Sequence, residues 1–133
     1  MSARTLVRTD GQGQVDSIRQ WRIDYLPMVI IETPTFTRQI TKLMPDDDYR
    51  ELQTALHLNP QLGDLIQGGG GLRKVRWSRP GMGKRGGVRV IYYWYSPDAQ
   101  LYMLLAYPKN EQDNLTREQL SALKKLVKQE FGT

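Results

Sequence analysis

Lys74 and Arg76, two residues apart, and Arg89 after a short interval are the side chains best placed to do chemistry in this chain. They belong to the stretch 65–97, which holds no acidic residue but carries Arg73, Lys74, Arg76, Arg79, Lys84, Arg85 and Arg89. Of the chain's 19 Lys+Arg these seven lie together, whereas all 14 Asp+Glu lie outside, so the net charge of +5 is a local property. Trp77, Tyr92, Tyr93, Trp94 and Tyr95 are interleaved with them. Lys and Arg neutralise phosphates and release counterions, and aromatic rings stack on unpaired bases. A solvated basic surface is the plainer interpretation. The local concentration of charge favours a docking surface for nucleic acid or another polyanion.

Breaking an RNA phosphodiester suits such residues. The 2′-hydroxyl must lose a proton, the transition-state oxyanions need positive charge, and the leaving 5′-oxygen needs a proton. Closely packed Lys and Arg meet the second need directly. Neighbouring cations also depress a lysine pKa toward the range of a general base. Charge alone leaves passive binding open beside catalysis. Other chemistries are excluded more firmly. The absence of cysteine removes disulfides, thiolate zinc sites and cysteine nucleophiles. The single histidine, His57, rules out paired-imidazole catalysis and reads as a surface or packing residue near a helix end. Asp46, Asp47 and Asp48 are consecutive and diverge around a helix start, so they suit the helix dipole better than a metal. Neither the run 68–71 nor Gly81-Met-Gly-Lys-Arg has the spacing of a phosphate-binding loop. Both read as flexible connectors, the second as a long hairpin-like excursion. No metal or cofactor is expected.

The elements that must position these residues follow from periodicity. At 133 residues the chain is one domain, able to bury about two-thirds of its unfolded surface. No apolar stretch approaches a membrane span and the N-terminus lacks the apolar core of a signal peptide, so a cytoplasmic protein without membrane contact is expected. Residues 1–27 read as an N-terminal extension, flexible around Gly11 and Gly13 or forming a short helix through Ile18, Trp21 and Tyr25. Residues 28–133 form the patterned domain. Met28-Val-Ile-Ile-Glu is an apolar, β-branched strand. Thr33 and Pro34 then cap a helix faced by Phe36, Ile40 and Leu43, and a second helix carries Tyr49, Leu52 and Leu56 up to Asn59-Pro60. Strands follow at about 71–77, 87–95 and 101–107, the last two joined by the turn 96–99. Alternation sets Lys74 and Arg76 on one face of their strand and Arg89 with Tyr93 on an exposed face of the next, and pairing the strands as a meander gathers Lys74, Arg76 and Arg89 on one sheet face. Thr116 and Gln119 make a capping box and Leu115 with Leu120 a hydrophobic staple for a last helix whose inward stripe is Leu120, Leu123 and Val127. The order β-α-α-β-β-β-α predicts an α+β domain, a mostly antiparallel sheet with helices on one face.

Four segments add a resemblance. Gly63-Asp-Leu-Ile-Gln-Gly, Gly71-Leu-Arg-Lys-Val-Arg, Gly83-Lys-Arg-Gly-Gly-Val-Arg-Val-Ile-Tyr-Tyr and Tyr107-Pro-Lys-Asn-Glu, in that order, resemble the HigB-like branch of the RelE/ParE toxin superfamily. The resemblance spans about 28–131 and implies the RelE-like compact domain. It also implies a metal-independent mRNA endonuclease that uses the RNA 2′-hydroxyl on the ribosome. A cognate HigA-like antitoxin would silence it, with DNA contacted only through the toxin–antitoxin complex. Position by position, Lys74 and Arg76 match the two basic residues of the family's first meander strand, and Arg89 the arginine that holds the scissile phosphate. Lys109 or Asn110 falls where RelE has a catalytic arginine. RelE's later tyrosine has no counterpart, since Leu115 and Thr116 occupy that region, so Tyr93 and Tyr107 are candidate substitutes and the acid/base assignment stays open. Arg73, Arg79, Lys84, Arg85, Tyr93 and Asn110 are the expected RNA-binding residues, and Lys74, Arg76, Arg89 and Lys109 the expected catalytic ones. The ParE branch inhibits a DNA topoisomerase instead, and a non-catalytic binding module is the third reading.

Overall fold

The computed structural model describes residues 5–8, 28–78 and 87–132. In chain order the elements are β1 (Thr5–Arg8), β2 (Val29–Glu32), α1 (Pro34–Leu43), α2 (Asp46–Leu58), β3 (Asp64–Leu65), β4 (Leu72–Trp77), β5 (Val88–Tyr95), β6 (Gln100–Pro108) and α3 (Arg117–Phe131). From residue 28 onward this is the predicted order with the two-residue β3 added. The predicted helix signals operate as read. Thr33 Oγ1 accepts from the Phe36 amide at 3.1 Å with Pro34 in the first turn, and the Thr116–Gln119 capping box closes in both directions. Asp46, Asp47 and Asp48 all lie in the first turn of α2. No helix among the described residues is long and apolar enough to cross a membrane.

The six strands form one sheet in the order β1-β2-β6-β5-β4-β3. The β3–β4, β4–β5 and β5–β6 pairs are antiparallel, and β2 joins β6 in parallel. β1 lies parallel to β2, from Thr5 opposite Val29 to Arg8 opposite Glu32. A strand in this segment is not what its glycines suggest. Thr-Leu-Val is nevertheless strand-prone, and the free edge of β2 supplies a template. The helix suggested by Ile18, Trp21 and Tyr25 lies outside the described residues.

The sheet is covered on both faces. Phe36 and Ile40 of α1 and Leu52 and Leu56 of α2 pack on Ile30, Val75, Val90, Tyr92 and Met103. On the other side Val127 of α3, flanked by Leu120, Leu123 and Phe131, packs on Leu72, Ile91, Leu104 and Tyr107. The α+β class and mostly antiparallel sheet stand, but the expectation of helices on a single face is corrected. β5 and β6 are apolar on both sides, so leaving one uncovered would put Ile91, Tyr93 and Leu104 in water. Where β2 stops, α1 satisfies the edge of β6. The Thr33 amide donates to Met103 O at 3.1 Å, Thr33 Oγ1 to Leu104 O at 3.2 Å, and the Ala106 amide to Gln39 Oε1 at 2.8 Å. Glu32, fully buried at the end of β2, accepts from Thr37 Oγ1 at 2.6 Å and from the Tyr49 hydroxyl, which ties both helices to the strand.

The approach to β4 is pinned. The Tyr92 hydroxyl donates to Pro60 O at 2.7 Å and accepts from the Gly63 amide at 2.9 Å, while Arg73 Nη1 donates to Gly63 O at 2.7 Å. A side chain at Gly63 would meet the Lys74 backbone and the Tyr92 ring at 2.9 Å, so this crossing requires glycine. The run 68–71 is an ordered turn rather than a flexible connector. The Ile66 amide donates to Leu72 O at 2.9 Å and the Gly69 amide to Ile66 O at 2.9 Å, and Gly71 has φ +106° against the Tyr93 ring.

Two outcomes are expected. Tyr92→Phe leaves the Pro60 carbonyl and Gly63 amide without their shared partner and should lower unfolding free energy by about 1–3 kcal/mol, measured by urea denaturation. Among the described residues neither core contains a side chain before Met28. A chain of residues 28–133 should therefore still melt cooperatively, and loss of the transition in calorimetry would show that residues 1–27 complete the core.

Candidate nucleic-acid interface

The β4–β5 register sets Arg76 directly opposite Arg89 and Lys74 opposite Ile91, and the β5–β6 register sets Arg89 opposite Tyr107. All of these point to the face that α3 covers. α3 starts at Arg117, and the segment 109–116 crosses the remaining part of the face. Arg89 is consequently only 6 % exposed, not on an open surface as alternation alone suggests. Its Nε and Nη2 donate to Asp113 Oδ1 at 3.0 and 2.9 Å, and the Asp113 side chain is 52 % exposed. Lys74 Nζ donates to Asn114 Oδ1 at 2.6 Å and Asp113 O at 3.2 Å, while the Tyr107 hydroxyl donates to Asp113 O at 3.4 Å. Arg76 is exposed.

Two arginines directly opposite on neighbouring strands repel, so the arrangement works against fold stability. The fields on the neighbouring groups follow. Desolvation is the main cause that draws the Lys74 pKa below 10.5; Asp113 and, less, Asp64 oppose it, while Arg76 and Arg89 add to it. The Asp113 carboxyl is held below its ordinary value, first by the Arg89 hydrogen bond and further by Arg89, Lys74 and Lys109. Burial pushes the Tyr107 hydroxyl up, partly offset by Arg89. At neutral pH Asp113 thus answers Arg89, Lys74 and Lys109 together, and it sits in the fork of a guanidinium where a phosphate oxygen also fits.

Of the residues singled out in the sequence, Lys74, Arg76 and Arg89 come together, and Lys109 lies close enough to act on Asp113. Lys109 is positioned by its amide, which donates to Gly87 O at 2.9 Å. Asn110 is exposed in the turn after β6. Arg73 lies on the opposite face and is engaged with Gly63 O and, at 3.4 Å, Gln61 O. The Tyr93 ring packs on Phe131 with centroids 4.9 Å apart, so α3 rather than solvent covers it. Arg79, Lys84 and Arg85 lie outside the described residues. Asp113 and Asn114 were not legible as site residues. The signal available was their place shortly after Tyr107-Pro-Lys-Asn-Glu, in a segment that must return over the basic face to reach the Thr116 cap.

Beyond these residues the site continues into a groove of about 380 Å³ between the β3 side and the start of α3. A family model described as the RelE toxin of the RelE / RelB toxin-antitoxin system matches residues 28–133.

Asp113→Asn removes the anion that competes for Arg89. It should raise affinity for a single-stranded DNA oligonucleotide several-fold at low salt, with the gain shrinking as salt rises, measured by fluorescence anisotropy. The same variant reports on stability. Because the folded-state pKa of Asp113 is depressed, its contribution is present above the ordinary carboxylate value of about 3.9 and is lost as pH falls through the lower folded value. The stability gap between wild type and Asp113→Asn should therefore close in strong acid.

Proposed function

The chain belongs to the RelE toxin family, and from that premise we propose that it is a ribosome-dependent mRNA endonuclease, the toxin of a type II toxin–antitoxin pair that inhibits translation. The observation that carries this reading is the opposed Arg76–Arg89 pair with Lys74 beside it, a costly concentration of charge that a phosphate relieves. The four ordered motifs further suggest the HigB-like branch and a HigA-like antitoxin, with DNA reached through that complex.

In the proposed reaction the scissile phosphate displaces Asp113 and takes both donors of the Arg89 guanidinium on its non-bridging oxygens. Lys74, whose pKa desolvation draws below its ordinary value, accepts or hydrogen-bonds the 2′-hydroxyl proton. The 2′-oxygen attacks phosphorus, the bond to the 5′-oxygen breaks, and a 2′,3′-cyclic phosphate and a 5′-hydroxyl result. Arg76, exposed, steadies the flanking backbone. Lys109 stands on the Asp113 side of the cluster, where it supplies charge or a proton to the leaving oxygen. Tyr107 keeps its proton at neutral pH, and its hydroxyl orients the segment that carries Asp113. Asn110 is an outer RNA contact beside Lys109. Arg79, Lys84 and Arg85 are kept as proposed RNA-binding residues on their charge alone.

Arg89→Lys keeps the charge and loses the fork, so it should cut mRNA on the ribosome slower by on the order of 10²–10³. Arg89→Ala should do the same but also lower stability by about 1–3 kcal/mol, because the side chain is buried. RNA ends mapped in cells after brief expression, together with melting of each variant, test this. Wild-type cutting retained in a folded Arg89→Lys protein would remove Arg89 from the reaction. Growth arrest by wild type with no new RNA ends would shift the activity to topoisomerase inhibition.

A further inference from the structure

We propose that β1 guards the sheet edge: it occupies the outer edge of β2, and its release lets β2 pair with the β2 of a second copy of this chain. Edge strands present unpaired N–H and C=O groups that template such pairing. The other open stretches among the described residues are blunted or satisfied from within. At the far edge β3 is only two residues long, both exposed, and one of them is Asp64. Where β6 runs on past β2, Thr33 and Gln39 take up Met103 O, Leu104 O and the Ala106 amide. β2 is the exception, since another strand covers it.

β2 has no defence of its own. Val-Ile-Ile-Glu is apolar and β-branched, pairs without a bulge and holds no proline or cation. Its one charged side chain, Glu32, is fully buried and hydrogen-bonded to Thr37 and Tyr49, so it repels nothing at the edge. β1 changes what the edge shows. Its sequence, Thr-Leu-Val-Arg, is bracketed by Arg4 and Arg8. An antiparallel pair of two copies centred on Leu6 would set each Arg4 against the other copy's Arg8, and like charges directly opposite destabilise a sheet. Charged residues at the margins of an apolar strand guard against edge-to-edge association in this way.

Core packing does not account for β1. Among the described residues neither core includes a side chain before Met28, and Leu6 is 37 % exposed. What β1 contributes is main-chain pairing, in register from Thr5 opposite Val29 to Arg8 opposite Glu32. Without it, two copies joined through β2 would bury the same patch on each, the arrangement of a closed two-fold dimer. β2 lies three strand spacings from β4, roughly 14 Å across the sheet, so this edge is separate from Lys74 and Arg76 and from the nuclease reading.

The test is sedimentation velocity of the full chain across a dilution series, with melting of each protein. The proteins are wild type, Leu6→Pro/Val7→Pro, and that double variant with Val29→Lys added. Successive residues of a strand direct their amides to opposite edges, so the two prolines remove the amide that faces β2 whichever it is. Wild type should sediment as one chain throughout. The double variant should shift to two chains as concentration rises, and Val29→Lys, a like charge on the bare edge, should return it to one. In dilute solution, where both are single chains, the β2 amides that β1 covers should exchange hydrogen faster in the double variant by on the order of tenfold or more. A folded double variant that stays a single chain overturns the proposal, as does unchanged exchange in β2. Association that survives Val29→Lys runs through another surface, and wild type that associates as strongly as the double variant has no guard; either result overturns it. So does loss of the cooperative transition in the double variant, since that makes β1 part of what stabilises the core.

Discussion

An arginine buried to 6 % exposure on a central strand needs an anion, and Arg89 finds one in Asp113. Burying an unpaired charge costs more than any packing at that position returns. The requirement fixes the course of the chain after β6. The segment 109–116 must bring Asp113 back over the sheet, which presents Asn114 to Lys74 and delivers Thr116 as the cap of α3. One ion pair thus couples the central strand, the return segment and the placement of the last helix.

The two-sided sheet turns this pair into a site. α1 and α2 bury one face completely enough that Glu32 and the edge of β6 are satisfied within the protein. Leu120 of α3 and Leu115 just before its cap mark where cover of the other face ends, so the basic end of β4 and β5 lies in a recess rather than on a flat surface. Partial desolvation follows. It weakens the preference of Lys74 for its charged form and keeps the Tyr107 hydroxyl protonated. Charges in such a recess act on a bound phosphate more strongly than they do in water, and their geometry is already set.

The electrostatic tension between Arg76 and Arg89 has a second consequence. Any group with several negative charges relieves it better than one carboxylate does. RNA meets that description, and so does an acidic segment of an antitoxin. The proposed substrate and the proposed inhibitor therefore compete for the same unbalanced field, with Asp113 as the weak occupant that both displace. Association of either should be fast at low salt and strongly screened at high salt.

The amino-acid sequence by itself determined the α+β class, the order of elements after residue 28, both helix caps and the grouping of Lys74, Arg76 and Arg89, because these depend on periodicity, on caps a few residues long and on the strict alternation of a strand. Its local patterns did not reveal β1, whose pairing partner is more than twenty residues away in the chain. Nor did they show that the run 68–71 is held rigid, which depends on Tyr93 and on hydrogen bonds across the turn. The burial of Arg89, the covered ring of Tyr93 and the turning of Arg73 to the opposite face were decided by tertiary structure alone. Alternation states which residues share a face, but not whether a helix from the far end of the chain lies across it. Asp113 is the clearest case: in sequence it is a polar residue in a loop, and only the path of that loop over the sheet makes it the counter-charge of the site.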